Sequence, residues 1–123
     1  MSSVFSFFRA WGPVLLMMAV IFGFSSLPSN EVPHFGLADF LVKKGGHATG
    51  YALLALANLR ALGWDRKRLW LAWVIAVLYS ASDEFHQSFV PGRHPALADV
   101  GIDALGAAVG LLLWRWFLVV SNQ

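Results

Sequence analysis

Three short stretches of this chain concentrate charged and other polar side chains, and the first contains Lys44, His47 and Tyr51. These residues are three and four positions apart, which places them on one face of a helix. Imidazole exchanges protons near neutral pH, whereas a lysine ammonium is a fixed positive charge there. The spacing therefore indicates a surface on which His47 takes part in proton transfer, Lys44 holds a phosphate and Tyr51 orients the substrate.

The second stretch contains Asp83, Glu84 and Gln87. Asp83 and Gln87 are four residues apart and share a helix face, and Glu84 lies beside them. A carboxyl group near a histidine can act as general acid or general base, which binding alone does not require. We therefore predict that Glu84, Asp83 and His47 are catalytic and that Gln87 helps to orient the substrate.

The third stretch contains Asp99 and Asp103, four residues apart, shortly after a Pro-Gly turn that is followed by Arg93. A guanidinium group makes bidentate contacts with phosphate or carboxylate, and the tight turn could direct it toward the other polar residues. The predicted substrate-binding residues are Lys44, Tyr51, Gln87, Arg93, Asp99 and Asp103.

Plainer structural interpretations of the same residues stay open. Lys44 and Arg93 could extend to lipid phosphates at a membrane surface. Asp99 suits the positive end of a helix dipole, and His47 could be a core histidine bonded to an Asp or a Tyr.

Metal ligation is a further alternative, because His47, Asp83, Glu84 and Asp103 could together bind a hard divalent ion. Their spacing matches no diagnostic metal motif, so the prediction is that the protein has no metal or other cofactor. The chain contains no cysteine, which excludes disulfides, thiolate metal sites and cysteine nucleophiles.

The elements that must position these residues are predicted from composition. Hydrophobic residues make up 58% of the 123 residues and charged residues only 13%, whereas soluble domains contain about 25% charged residues. We therefore predict an all-α membrane protein with a single domain, residues 1–123, and a short interfacial segment at the N-terminus. Its four transmembrane helices are expected at residues 11–27, 44–62, 69–89 and 95–120. Pro28 is expected to end the first helix, residues 31–42 to form a loop, and Pro91 to lie in a turn.

The basic residues predict the orientation of these helices in the membrane. With four spans, both termini lie on the same side as the short basic turn at Arg66, Lys67 and Arg68. Short loops rich in Lys and Arg favour the cytoplasmic side, so both termini are expected there. All three polar stretches then lie together near the extracytoplasmic face, and they would meet even if the orientation were reversed.

The polar stretches also resemble those of a known family, the VanZ-like small bacterial membrane proteins. The similarity is carried by KGGHATGY at residues 44–51, by DEFHQSFVPGR at residues 83–93 and by FSS at residues 24–26. It continues from Asp99 through the glycines at 106 and 110. One position departs from the pattern, because this chain has Asp103 where the family usually has Asn.

Independently of the resemblance, Gly106 and Gly110 form a G-x-x-x-G pattern, which predicts close packing of the fourth helix against a neighbour. The same role is predicted for Gly45, Gly46 and Gly50 on the second helix.

The resemblance implies a location in the bacterial membrane rather than a particular reaction. The family is named for an association with low-level resistance to teicoplanin, a lipid-tailed glycopeptide antibiotic that acts outside the membrane. It brings no settled biochemical activity.

Two functions fit the residues about equally. One is an enzyme that acts on a lipid or lipid-linked envelope molecule, by phosphoester hydrolysis or head-group transfer. The other is a non-catalytic binder of an anionic lipid or a lipoglycopeptide. An ion-coupled transporter fits less well, because four helices provide few residues for a pathway. The expected partner is a membrane lipid or lipid-linked envelope precursor rather than a nucleic acid, and a homo-oligomer stays open.

Overall fold

The computed structural model describes residues 3–25, 37–90 and 97–121, and these residues form four α-helices. The helices are α1 (Ser3–Ser25), α2 (Leu37–Ala61), α3 (Leu69–Gln87) and α4 (Leu97–Ser121), with a short 3₁₀ helix at Arg66–Arg68. The described residues contain no strand, so the predicted all-α class with four helices is confirmed. The helices have 19 to 25 residues, which corresponds to about 28–38 Å at 1.5 Å per residue.

Two helices begin earlier than predicted. Helix α1 begins at Ser3, so the expected interfacial segment is continuous with the first helix. Helix α2 begins at Leu37, directly after Gly36, and the prediction of a loop up to residue 42 is wrong from Leu37 onward. Residues 37–43 contain no Gly or Pro that would prevent a helix. The turns predicted around Pro28 and Pro91 lie outside the described residues.

Helix α2 is central, because it packs against each of the other three helices and most extensively against α4. Two glycines of α4 permit this approach. A Cβ atom at Gly106 would lie 2.4 Å from the carbonyl oxygen of Ala48, and one at Gly110 would lie 2.8 Å from the Cβ of Ala52. The predicted role of these glycines in helix packing is therefore confirmed.

The same prediction is wrong for two glycines of α2. A Cβ added at Gly45 or Gly46 would have no described atom within 4 Å, apart from local backbone. Gly50 would make only an ordinary contact with Ile21, at 3.9 Å. The small residues of α2 that touch α4 are alanines, so the close seam of the bundle joins glycines of α4 to alanines of α2.

Hydrogen bonds from buried side chains to backbone carbonyls join the helices. Asn58 Nδ2 of α2 donates to the carbonyl of Ala72 in α3 at 3.1 Å, and Asn58 is fully buried. Tyr79 Oη of α3 donates to the carbonyl of Met18 in α1 at 2.5 Å. Each bond fixes one point of contact between two helices.

Large apolar side chains cover much of the outer surface of the described helices. Phe8, Leu16, Leu78, Leu112 and Phe117 each expose more than half of their surface. Two helical segments, Ser3–Gly23 of α1 and Leu97–Ser121 of α4, are long and apolar enough to cross a membrane. Four such helices were predicted. Helices α2 and α3 do not meet the same criterion, because α2 carries several charged and polar side chains and α3 ends in a polar segment from Ser80 to Gln87.

A tight turn ends α2 and leads into α3. The amide of Gly63 donates to the carbonyl of Arg60 at 3.0 Å, and the amide of Trp64 donates to the carbonyl of Leu59 at 2.9 Å. This pair of bonds is a Schellman motif, which needs a left-handed residue after the helix, and Gly63 has φ of +87°. Asp65 then accepts a bond from the amide of Lys67 at 2.9 Å. It caps the 3₁₀ helix rather than α3 itself.

Replacing Gly63 with alanine is expected to lower the free energy of unfolding by about 1–2 kcal/mol, because a Cβ atom disfavours the left-handed conformation. Gly46→Ala is the matched control, since its added Cβ meets no described side chain and alanine favours a helix. Thermal unfolding of both variants in detergent measures the difference. Equal stability of the Gly63 variant and the unsubstituted protein would contradict this account of the turn.

Candidate functional site

A buried carboxylate lies where α2, α3 and α4 meet, at the ends where the polar residues were expected. Ser80 Oγ of α3 donates to Asp103 Oδ2 of α4 at 2.8 Å. His47 Nδ1 of α2 lies 3.4 Å from Asp103 Oδ1, which is an ion-pair distance and long for a direct hydrogen bond. Asp103 is 2% exposed and Ser80 is fully buried. We call His47, Ser80 and Asp103 the carboxylate cluster.

The side chain of His47 is the accessible member of this cluster, with 31% of its surface exposed against 3% for the side chain of Asp103. Because Nδ1 faces the carboxylate, Nε2 is the nitrogen left to meet a substrate. This geometry gives the imidazole a fixed inner contact and an open outer edge.

A second ion pair joins the same two helices one turn nearer their N-terminal ends. Lys44 Nζ of α2 contacts Asp99 Oδ1 of α4. The two side chains are 33% and 22% exposed, so an anion from outside could reach the ammonium group. The structure thus brings Lys44, His47, Asp99 and Asp103 together in two layers.

Tyr51 lies one turn deeper than His47 on α2, and the two rings stack with centroids 6.3 Å apart. Its other neighbour is Tyr79 of α3, also at a centroid distance of 6.3 Å. Tyr51 is 1% exposed. Its hydroxyl group is near Ser80 but makes no hydrogen bond of normal geometry with a described residue. Tyr51 therefore closes the inner end of the site and is too deep to be a first contact for a substrate.

The acidic end of α3 also points into the bundle. Asp83, Glu84 and Gln87 are 3%, 9% and 5% exposed, respectively. Asp83 interacts electrostatically with both His47 and Tyr51, which adds a second carboxyl group to the surroundings of the imidazole. Glu84 and Gln87 are buried on the same two turns of α3.

Some residues were not predicted, and one predicted residue cannot be placed. Ser80 is the hydrogen-bond partner of Asp103, and its signal was its position one turn before the acidic residues of α3. Asn58 was also missed, although it lies two turns beyond Tyr51 on the same face of α2. Arg93 lies outside the described residues, and its predicted role stays a prediction.

The described residues do not contain three or more His, Asp or Glu side chains placed to share one metal ion. The two oxygens of Asp103 already face Ser80 and His47. The arrangement can hold an imidazole in one orientation beside a positive charge. Those are the requirements for moving a proton next to a bound anion.

The apolar helices and the buried polar cluster together define a small helical membrane protein. The chain belongs to the VanZ/LLP1 family, whose model matches residues 8–118, and the resemblance noted from the sequence is confirmed. No curated protein and no solved structure matches the chain significantly.

Proposed function

We propose that this protein acts on a lipid or lipid-linked envelope molecule at the extracytoplasmic side of the bacterial cytoplasmic membrane. The reaction would be phosphoester hydrolysis or head-group transfer. The contact of His47 with the buried Asp103 is the observation that carries the proposal. Acid–base catalysis needs an imidazole that is held in one orientation with a nitrogen turned toward the substrate, whereas a protein that only binds a lipid does not.

The proposed topology has four membrane-crossing helices and both termini in the cytoplasm. The described helices are long enough for this, since a hydrocarbon core about 30 Å thick needs about 20 residues. The three basic residues at Arg66–Arg68 lie at the end opposite the carboxylate cluster, as expected for a cytoplasmic turn. The cluster then faces the outside.

In the proposed reaction, His47 Nε2 takes the proton of a water molecule or of an acceptor hydroxyl group. The oxygen attacks phosphorus, the bond from phosphorus to the leaving oxygen breaks, and that oxygen receives a proton. Asp103 holds the ring and stabilises the imidazolium ion, while Lys44 leaves Asp99 to balance the phosphate charge. Asp83 and Glu84 are the candidate proton donors to the leaving oxygen.

Non-catalytic binding of an anionic lipid or a lipoglycopeptide is the second candidate. It is favoured by the exposed Lys44–Asp99 pair, which could exchange its carboxylate for a ligand anion. In that case His47 would be a structural histidine fixed by Asp103.

The test compares envelope lipids of cells that overproduce the intact protein, His47→Gln or His86→Gln at matched protein levels. His86 is the matched control, because it also lies in the outer half of the bundle but stacks on Phe22 at 4.2 Å rather than on the cluster. The expected result is a lipid change with the intact protein and the His86 variant, and none with the His47 variant. Identical lipids in all three strains would reject the enzyme and favour the binder.

A further inference from the structure

An apolar groove runs along the outside of the seam between α2 and α4. Its volume is about 330 Å³, which is at the lower end of the range for ligand pockets. The α2 side is formed by small residues and the α4 side mostly by larger aliphatic ones; the lining consists of Ala48, Thr49, Ala52, Ile102, Leu105, Gly106 and Val109. The groove is therefore apolar, without charged side chains and open along one side.

The groove begins where the polar site ends. Ala48 follows His47 directly, and Ile102 directly precedes Asp103. Lys44 is one helical turn above Ala48, so the Lys44–Asp99 ion pair lies over one end of the groove. The other end lies at Val109, about two turns farther along α4.

The open side of the groove faces the surroundings of the bundle. Leu105 and Val109 are 65% and 47% exposed, and both belong to the helix that is apolar enough to cross a membrane. A molecule could therefore enter sideways from the lipid phase without passing through water.

We propose that the groove holds one hydrocarbon chain of a membrane lipid whose phosphate group is bound at Lys44. The proposal rests on the proposed function, and it narrows the substrate class to a lipid phosphate that remains in the bilayer. The arrangement supports this occupant, because a lipid phosphate is anionic at one end and apolar at the other. The ammonium group of Lys44, which the phosphate would take over from Asp99, lies above the apolar groove. A groove of this volume suits a single chain.

The test uses a phosphatidate that carries a photoactivatable diazirine in the middle of one acyl chain, with the protein in detergent micelles. After irradiation, mass spectrometry locates the label. The expected result is concentrated labelling of the α2 and α4 segments that line the groove. Val109→Trp would narrow the groove and reduce this labelling about tenfold, the loss expected from about two fewer buried methylene groups.

Val119→Trp is the matched control, because it is the same substitution on the same helix at the same exposure, 47%, and Val119 does not line the groove. The Val119→Trp variant should be labelled to the same extent as the intact protein.

A diacylglycerol that carries the same diazirine but no phosphate tests whether the phosphate group holds the lipid at Lys44. Lys44→Gln should reduce labelling by phosphatidate and leave labelling by diacylglycerol unchanged.

Labelling spread over all exposed apolar faces, or unaffected by Val109→Trp, would overturn the groove proposal. So would protein–protein cross-links that place a second copy of the chain in the groove. Labelling does not require turnover, so it can be read in the His47→Gln variant as well. Labelling of the groove without any change in envelope lipids would reject the proposed enzyme but support the lipid-binding groove. A change in envelope lipids without labelling of the groove would reject only the groove proposal.

Discussion

Replacing Gly106 with alanine is expected to disrupt the bundle more than any other methyl-sized substitution at the described glycines. The added Cβ would lie 2.4 Å from the carbonyl oxygen and 2.7 Å from the Cα of Ala48. Both are backbone atoms, so the clash is relieved only if α2 and α4 move apart. Overpacking costs about 1–3 kcal/mol and occasionally more. A clash with backbone atoms should lie at the upper end of this range, and the fraction of folded protein in detergent should fall accordingly.

Two further glycines of α4 complete this experiment. Gly101→Ala has no described atom within 4 Å of its new Cβ, apart from local backbone, and should be neutral or stabilising by up to about 1 kcal/mol. Gly110→Ala should fall between the two, because its clash at 2.8 Å is with the Cβ of Ala52.

Ala52→Gly should partly rescue Gly110→Ala, because it removes the clashing atom, although it costs about 0.5–1 kcal/mol in helix stability. Ala48→Gly should not rescue Gly106→Ala, since the backbone of residue 48 remains in place. Thermal unfolding of the single and double variants measures these differences. A Gly106 variant as stable as the Gly101 variant would show that the seam is looser than described.

For the proposed reaction, replacing Asp103 with alanine is expected to lower turnover by up to about 10²–10⁴-fold, because acid–base catalysis by His47 contributes about this much and depends on Asp103 for the orientation of the ring. The substitution removes the common partner of Ser80 and His47. It also leaves a buried hydroxyl group without its acceptor, which costs roughly 1–3 kcal/mol of stability. Turnover of a lipid phosphate by the reconstituted protein is measured together with thermal unfolding.

Asp103→Asn separates the geometric role of this side chain from its charge. An amide oxygen can accept from His47 Nδ1–H, and the amide NH₂ can donate to Ser80 Oγ, which then acts as the acceptor. Stability should be retained, and turnover should fall by only about tenfold, the effect of about 1.4 kcal/mol of lost imidazolium stabilisation. This outcome would also reconcile Asp103 with the Asn that the family usually has there.

A fully active Asp103→Ala variant would refute the role of the carboxylate in orienting His47. An inactive Asn variant that is as stable as the intact protein would show that the negative charge itself is required. If the intact protein and both Asp103 variants bind the ligand equally and none turns it over, non-catalytic binding would be favoured.

The sequence was most informative where spacing along one helix determines which side chains share a face. Lys44, His47 and Tyr51 do form one face of α2, and Asp99 and Asp103 meet that face from α4. Pairings between helices could not be predicted, because they depend on how far one helix slides along another. That is why Ser80 was not recognised as the partner of Asp103.

Helix starts were less predictable than helix faces. Apolar content alone suggested that the first and second helices begin near Trp11 and Lys44, whereas the backbone remains helical from Ser3 and Leu37. A helix continues past the apolar region until a residue stops it. The position of α4 along α2 is set by Gly106 and Gly110. Their contacts with α2 can be seen only in the three-dimensional structure.

The difference in apolarity between the helices has a consequence for biogenesis. In the proposed topology, α1 and α4 can each enter the bilayer unaided, whereas α2 and α3 carry Asn58, Asp83 and Glu84 inward. Lipid offers such groups no hydrogen bonds, so α2 and α3 are expected to insert together as a hairpin joined by the Gly63 turn. The carboxylate cluster is then completed last, when α4 brings Asp103 to Ser80 and His47. A chain truncated before α4 would expose these polar residues to lipid and become a substrate for membrane quality control.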